Sequence, residues 1–202
     1  MSGDMPMFRI RFSAVLALLI GVGVLVSCFW LPAPAVAEVP KVKASAPRSE
    51  LLVELHDYCN TPDGMTLLPD GNIILSVPNF TDDSSPGVLM KITPRNKVSL
   101  FYKLPPHPRT GKVFPMGICA APSGDLYVAD CQVLVDPDHK SRLLRVVVKD
   151  GKPMETVTVA SGLNVSNGVI IRNGYVYVSE SIIDAESQPL LSGIFRFKLG
   201  EE

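Results

Sequence analysis

The chain has 202 residues, 47% of them apolar and 19% charged, with a net charge of −1 at pH 7. A near-neutral chain carries no electrostatic footprint for nucleic acid or an anionic lipid surface. Dense aliphatic and β-branched residues from Leu51 to Leu199 exclude a disordered chain. Mean hydropathy is +0.25, but much of the apolar excess sits in the first forty residues. The rest of the chain is long enough for one domain with a core.

Arg9 and Arg11 form a short basic start, and Ala14 to Val26 run almost unbroken apolar. Leu31-Pro-Ala-Pro-Ala-Val-Ala37 then closes with small residues at Ala35 and Ala37. This is the build of a secretory signal peptide over residues 1–37, cleaved before Glu38. Two other readings stand beside it. Leu25-Val-Ser-Cys28 resembles a bacterial lipobox, with Cys28 lipidated. The apolar run, at about 18–20 residues, is also long enough to anchor the chain uncleaved. Every reading places the domain outside the cytoplasm, secreted or periplasmic, with membrane contact only through the leader or Cys28. Residues 38–50, rich in Pro, Lys, Ser and Ala without apolar periodicity, read as a linker.

Three later segments align: Pro62 to Ser76, Pro115 to Ala129 and Ser166 to Ser179. Their leading glycines, Gly64, Gly117 and Gly168, are 53 and 51 residues apart. Their second glycines, Gly71, Gly124 and Gly174, follow by 7, 7 and 6. Each copy reads as a short apolar strand, a turn ending in Gly, and a β-branched or aromatic strand. That is a hairpin, because the turn glycine supplies positive φ without a Cβ penalty. Further strands are predicted at 88–92, 98–102, 143–148, 156–160 and 193–198, and no amphipathic helix of ten or more residues is visible. Four strands in about fifty residues make a β-propeller blade; a β-sandwich with chance turn similarity is the alternative. Residues 51–202 thus predict an all-β partial propeller of about three blades. A complete ring has roughly four to eight, so the expectation is the N-terminal half of a larger propeller.

The repeat resembles the SMP-30/gluconolactonase-like family of six-bladed propellers, and more distantly the strictosidine synthase-like and paraoxonase-like ones. The residues that carry the likeness are Asp63-Gly64 ahead of Leu-Pro-Asp-Gly71, Gly117 ahead of Pro-Ser-Gly-Asp-Leu-Tyr-Val128, and Ser166-Asn-Gly-Val169 ahead of Tyr-Val-Tyr-Val-Ser-Glu180. In a propeller the innermost strand of each blade lines the central channel, so the residues before the leading glycines, Asp63, Met116 and Asn167, converge on its axis. A carboxylate and a carboxamide oxygen there suit a hard divalent cation. The resemblance implies the same: one catalytic divalent metal, of the calcium type, held by Asp63 and Asn167, with a further Asp beyond Glu202. It departs at Met116, where the family commonly has Asn, and at Asp63, where gluconolactonases usually have Glu. Asp63 and Asn167 each also read as plain turn residues. Asp130 and Glu180 end their second strands at matching positions. With Met116 they are candidates for binding the small-molecule substrate, a lactone or ester, or else are solvated loop carboxylates.

Other chemistry is weakly signalled. His56, His107 and His139 lack zinc spacing, and His107, in Pro105-Pro-His-Pro108, reads as a surface histidine. There is no nucleophile elbow and no phosphate loop. Cys59, Cys119 and Cys131 read as buried thiols or as a source of one disulfide; pairing about the turn sets Cys131 opposite Met116, which makes a Cys119–Cys131 bridge doubtful. The functions left standing are a metal-dependent lactonase or esterase-type hydrolase, a non-catalytic NHL-like binding propeller, and an inactive fragment.

Overall fold

The structure, a computed structural model, describes residues 50–81 and 84–201; the leader and most of the linker lie outside the described residues. Eleven strands fill three antiparallel meanders among the described residues. The first sheet is β1 (Met65–Leu67), β2 (Ile73–Val77), β3 (Val88–Ile92) and β4 (Val98–Lys103). The second is β5 (Pro115–Ala120), β6 (Leu126–Asp130), β7 (Ser141–Lys149) and β8 (Lys152–Leu163). The third has three strands, β9 (Ser166–Arg172), β10 (Tyr175–Asp184) and β11 (Leu191–Lys198). Consecutive meanders of this kind are propeller blades, and the fold class is an incomplete propeller.

The hairpins form where the glycines place them. In the first, Leu68 N–H donates to Asn72 O (2.8 Å) and Gly71 N–H to Leu68 O (2.9 Å). Ala121, Asp125 and Gly124 repeat this at 2.8 and 2.9 Å. The third hairpin has a different turn. Asn173 (φ 51°) and Gly174 (φ 76°) form a two-residue loop between paired Arg172 and Tyr175. Two successive positive φ values are the type I′ signature, which Asn-Gly suits. This shorter turn explains why the third glycine spacing is six rather than seven.

Strand alternation sorts the apolar residues between two inter-sheet cores. Ile74 and Leu89 of the first sheet meet Ile118, Leu126, Val128, Leu144 and Val146 of the second. Tyr127 and Leu143, on the opposite face of the second sheet, meet Val176 and Val178 of the third. All five residues of β6 are therefore buried. Each fully buried Leu or Val side chain contributes about 1.5–3 kcal/mol. The far face of the first sheet, Leu75, Val77, Val88 and Met90, is covered by Val53, Leu55 and Cys59 of the preceding segment. The far face of the third is open, with Ile170 64% and Ile194 72% exposed.

Candidate functional site

The leading glycines bring the inner strands together. A Cβ built on Gly64 would lie 2.8 Å from Met116 O and 2.9 Å from Gly117 Cα. One built on Gly117 would lie 2.2 Å from Asn167 O and 2.9 Å from Gly168 Cα. Any side chain at either position would therefore collide with backbone. Backbone approach this close needs glycine, which gives the 53- and 51-residue repeat its physical cause. Ser76 ties the first seam. Gly64 N–H donates to its Oγ (3.0 Å), and the hydroxyl in turn donates to Met116 O of the next inner strand. Ser179 makes the first half of that arrangement in the third sheet, accepting from Gly168 N–H at 2.8 Å.

Asp63, just ahead of β1, and Met116 and Asn167, near the starts of β5 and β9, thus occupy equivalent positions in the repeat, each one residue ahead of a leading glycine. Asp63 and Asn167 are exposed and Met116 is half-buried. Neighbouring atoms strip part of the hydration of the Asp63 carboxyl even though the residue is exposed, which pushes it above its ordinary value. No described residue hydrogen-bonds the Asp63 carboxylate, and Asp63 N–H is itself held by Ser76 O at 3.0 Å. The arrangement leaves a carboxylate and a carboxamide free to take an external ligand, with an apolar thioether between them. Oxygen donors of this kind fit a hard cation.

Asp130 and Glu180 do not meet the substrate-binding expectation: both are interior, at 0% and 2% exposure. Asp130 ends β6 and Glu180 lies in β10, strands whose buried apolar residues pack against a neighbouring sheet. Asp130 anchors a network. Its Oδ2 takes Arg142 Nε (2.8 Å) and Nη2 (2.6 Å), and its Oδ1 takes Phe114 N–H (2.8 Å) and Gln132 Nε2 (2.6 Å). Gln132 in turn accepts from Thr110 Oγ1 at 2.6 Å, which pins the loop before β5. His107 belongs to that loop and is a further correction: it is 7% exposed, not a surface residue. Its Nδ1 accepts from Arg109 and Thr110 N–H at 3.2 and 3.4 Å. Burial, then the nearby Arg142 charge, lower its pKa. Pro-rich context hid this, because a loop folded back on the strand ends leaves no periodic signal. Glu180 carries a raised pKa, driven by burial.

Cys59, Cys119 and Cys131 are free thiols. Burial pushes Cys119 up to about 12 and raises the other two, which disfavours the reactive thiolate in each. A bulge between Pro115 and Ile118 shifts the register, so Cys131 N–H bonds Phe114 O (3.0 Å) and Met116 is not its partner.

No protein-family model and no curated protein matches the chain. Solved structures do. The PQQ-bound aldose sugar dehydrogenase of Streptomyces coelicolor superposes with a TM-score of 0.51 at 15% identity, over 69% of this chain and 45% of that one. The likeness is one of fold. A gluconolactonase from Xanthomonas campestris gives 0.48 at 14% identity, over 68% and 43%. A putative gluconolactonase gives 0.42 at 19%, over 60% and 42%. The chain spans less than half the length of these neighbours.

Proposed function

We propose that the chain supplies part of a divalent-cation site and of a lactone- or ester-hydrolysing mouth, in a protein exported by its leader. One observation carries this: Asp63 and Asn167 stand at equivalent repeat positions ahead of leading glycines, at the entries to β1 and β9, both exposed and free of internal partners among the described residues. Asp63 and Asn167 would hold the ion, with calcium the best match to their oxygens. A bound cation would polarise a substrate carbonyl and lower the pKa of an attacking water. Asp63 presents negative charge at the mouth. Asn167 can accept through its carbonyl or donate through its amide. Met116 gives an apolar wall suited to the carbon skeleton of a lactone.

Met116 also favours a second reading. An apolar thioether at the middle position removes one oxygen donor, as a non-catalytic NHL-like binding propeller would tolerate. Hydrolysis of a sugar lactone by the full chain in excess calcium separates the two. Slow, calcium-dependent hydrolysis lost in Asp63→Ala supports the hydrolase. Hydrolysis indifferent to calcium and to Asp63→Ala refutes it.

A further inference from the structure

Four buried side-chain oxygens gather where the second and third sheets meet, and none has a hydrogen-bond partner among the described residues: Glu180 Oε1 and Oε2, Ser166 Oγ and Asn164 Oδ1. Ser166 is the cross-strand partner of Glu180. Exposure is 2% for Glu180, 0% for Ser166 and 4% for Asn164. The backbone N–H groups of Asn164 and Val165 are directed at the carboxylate and favour its ionised form, but neither comes close enough in line to make a full hydrogen bond. A buried carboxylate with only such weak donors and no bound counter-charge is among the more expensive features a fold can hold.

The repeat shows what is missing. The residue equivalent to Glu180 in the second sheet is Asp130, whose cross-strand partner is Arg142; that guanidinium binds it through two nitrogens. The cross-strand partner of Glu180 is Gly193. The first sheet avoids the problem, with Val77 opposite Val88. Arg142 is committed to Asp130, and among the described residues the side chain that acts on Glu180 through its charge is exposed His139. Every unpartnered atom in this cluster is an oxygen, which suits a hard, oxygen-seeking cation and not a soft one. One carboxylate with two neutral oxygens is neutralised by a single positive charge, as Arg142 neutralises Asp130; a divalent ion would leave a net charge buried.

We infer that Glu180, Ser166 and Asn164 form a structural site for one monovalent alkali cation, which takes the place in the third sheet that the Arg142 guanidinium holds in the second. This site is separate from the mouth: it needs neither Asp63 nor Asn167, and stands whether or not the hydrolase reading does.

The test is thermal unfolding of the full chain in sodium, potassium and choline chloride at matched ionic strength. The expected result is a melting temperature that climbs by roughly 3–6 °C per tenfold rise in sodium or potassium above half-saturation, and not with choline. The better of the two alkali ions identifies the natural occupant. Glu180→Gln should abolish the difference between salts and raise the melting temperature in choline. Ser166→Ala, a milder change, should shrink the alkali response, and Asp63→Ala should keep all of it. Coincident melting in all three salts overturns the site, as does an alkali response that survives Glu180→Gln or is undiminished in Ser166→Ala.

Discussion

The second and third sheets are built from the same repeat, yet they differ in how they are covered and in how their interior charge is paired. The second is covered on both faces, and its interior carboxylate, Asp130, has four hydrogen bonds to three partners. The third is covered on one face, shows Ile170 and Ile194 to solvent, and leaves the equivalent Glu180 without a partner. The comparison teaches that blade geometry is set by a few backbone demands, the seam glycines and turn glycines. Charge satisfaction is instead solved blade by blade. Asp130 received an arginine across the strand, Glu180 a glycine, and Val77 needs nothing.

Stripping the paired side should produce the largest effect. Arg142→Leu leaves Asp130 buried and uncompensated, which should cost about 3–5 kcal/mol in denaturant unfolding. A loss under ~1 kcal/mol would mean that water reaches Asp130. Leu126→Ala opens a cavity in the doubly covered β6 and should cost about 2–5 kcal/mol, whereas Ile170→Ala, on the open face, should stay within roughly 0.5 kcal/mol. Equal losses at the two positions would show that the third sheet's far face is covered in solution.

A smaller effect concerns the loop pinned to Asp130. The folded-state pKa of His107 lies below its ordinary 6.5. Between those two values the unfolded chain binds more protons than the folded one, so stability is fully present above about pH 6.5 and falls as pH drops through that window. Replacement with Asn, which keeps an acceptor for the Arg109 and Thr110 N–H groups, should flatten that part of the stability–pH curve. An unchanged slope would assign the acid sensitivity to another group.

Much of this is legible in the chain itself. Gly64, Gly117 and Gly168, with the turn glycines, announce the hairpins and their period: a Cβ on Gly64 or Gly117 would meet neighbouring backbone, and the turn glycines hold positive φ. Side-chain facing is harder. The matching positions of Asp130 and Glu180 are visible in sequence, but whether strand ends turn toward a channel or toward the next sheet depends on which face that sheet covers. The Arg142 contact twelve residues away, the bulge that realigns Cys131, and the burial of His107 depend on tertiary packing and have no periodic signature. The Ser76 bridge is invisible in sequence for the same reason: its partner, Met116 O, belongs to a different blade. For the mouth, the glycine context singles out Asp63 and Asn167, and their placement at equivalent repeat positions is what supports the proposed cation site.

That proposal is tested most directly by a double-mutant cycle on calcium affinity, measured by calorimetry with wild type, Asp63→Ala, Asn167→Ala and the double variant. If both residues ligate one ion, each single change should weaken binding. The double change should then weaken it by clearly less than the sum, because the second ligand has little left to hold. Strictly additive losses, or affinity untouched by either substitution, would contradict a shared site at the channel mouth.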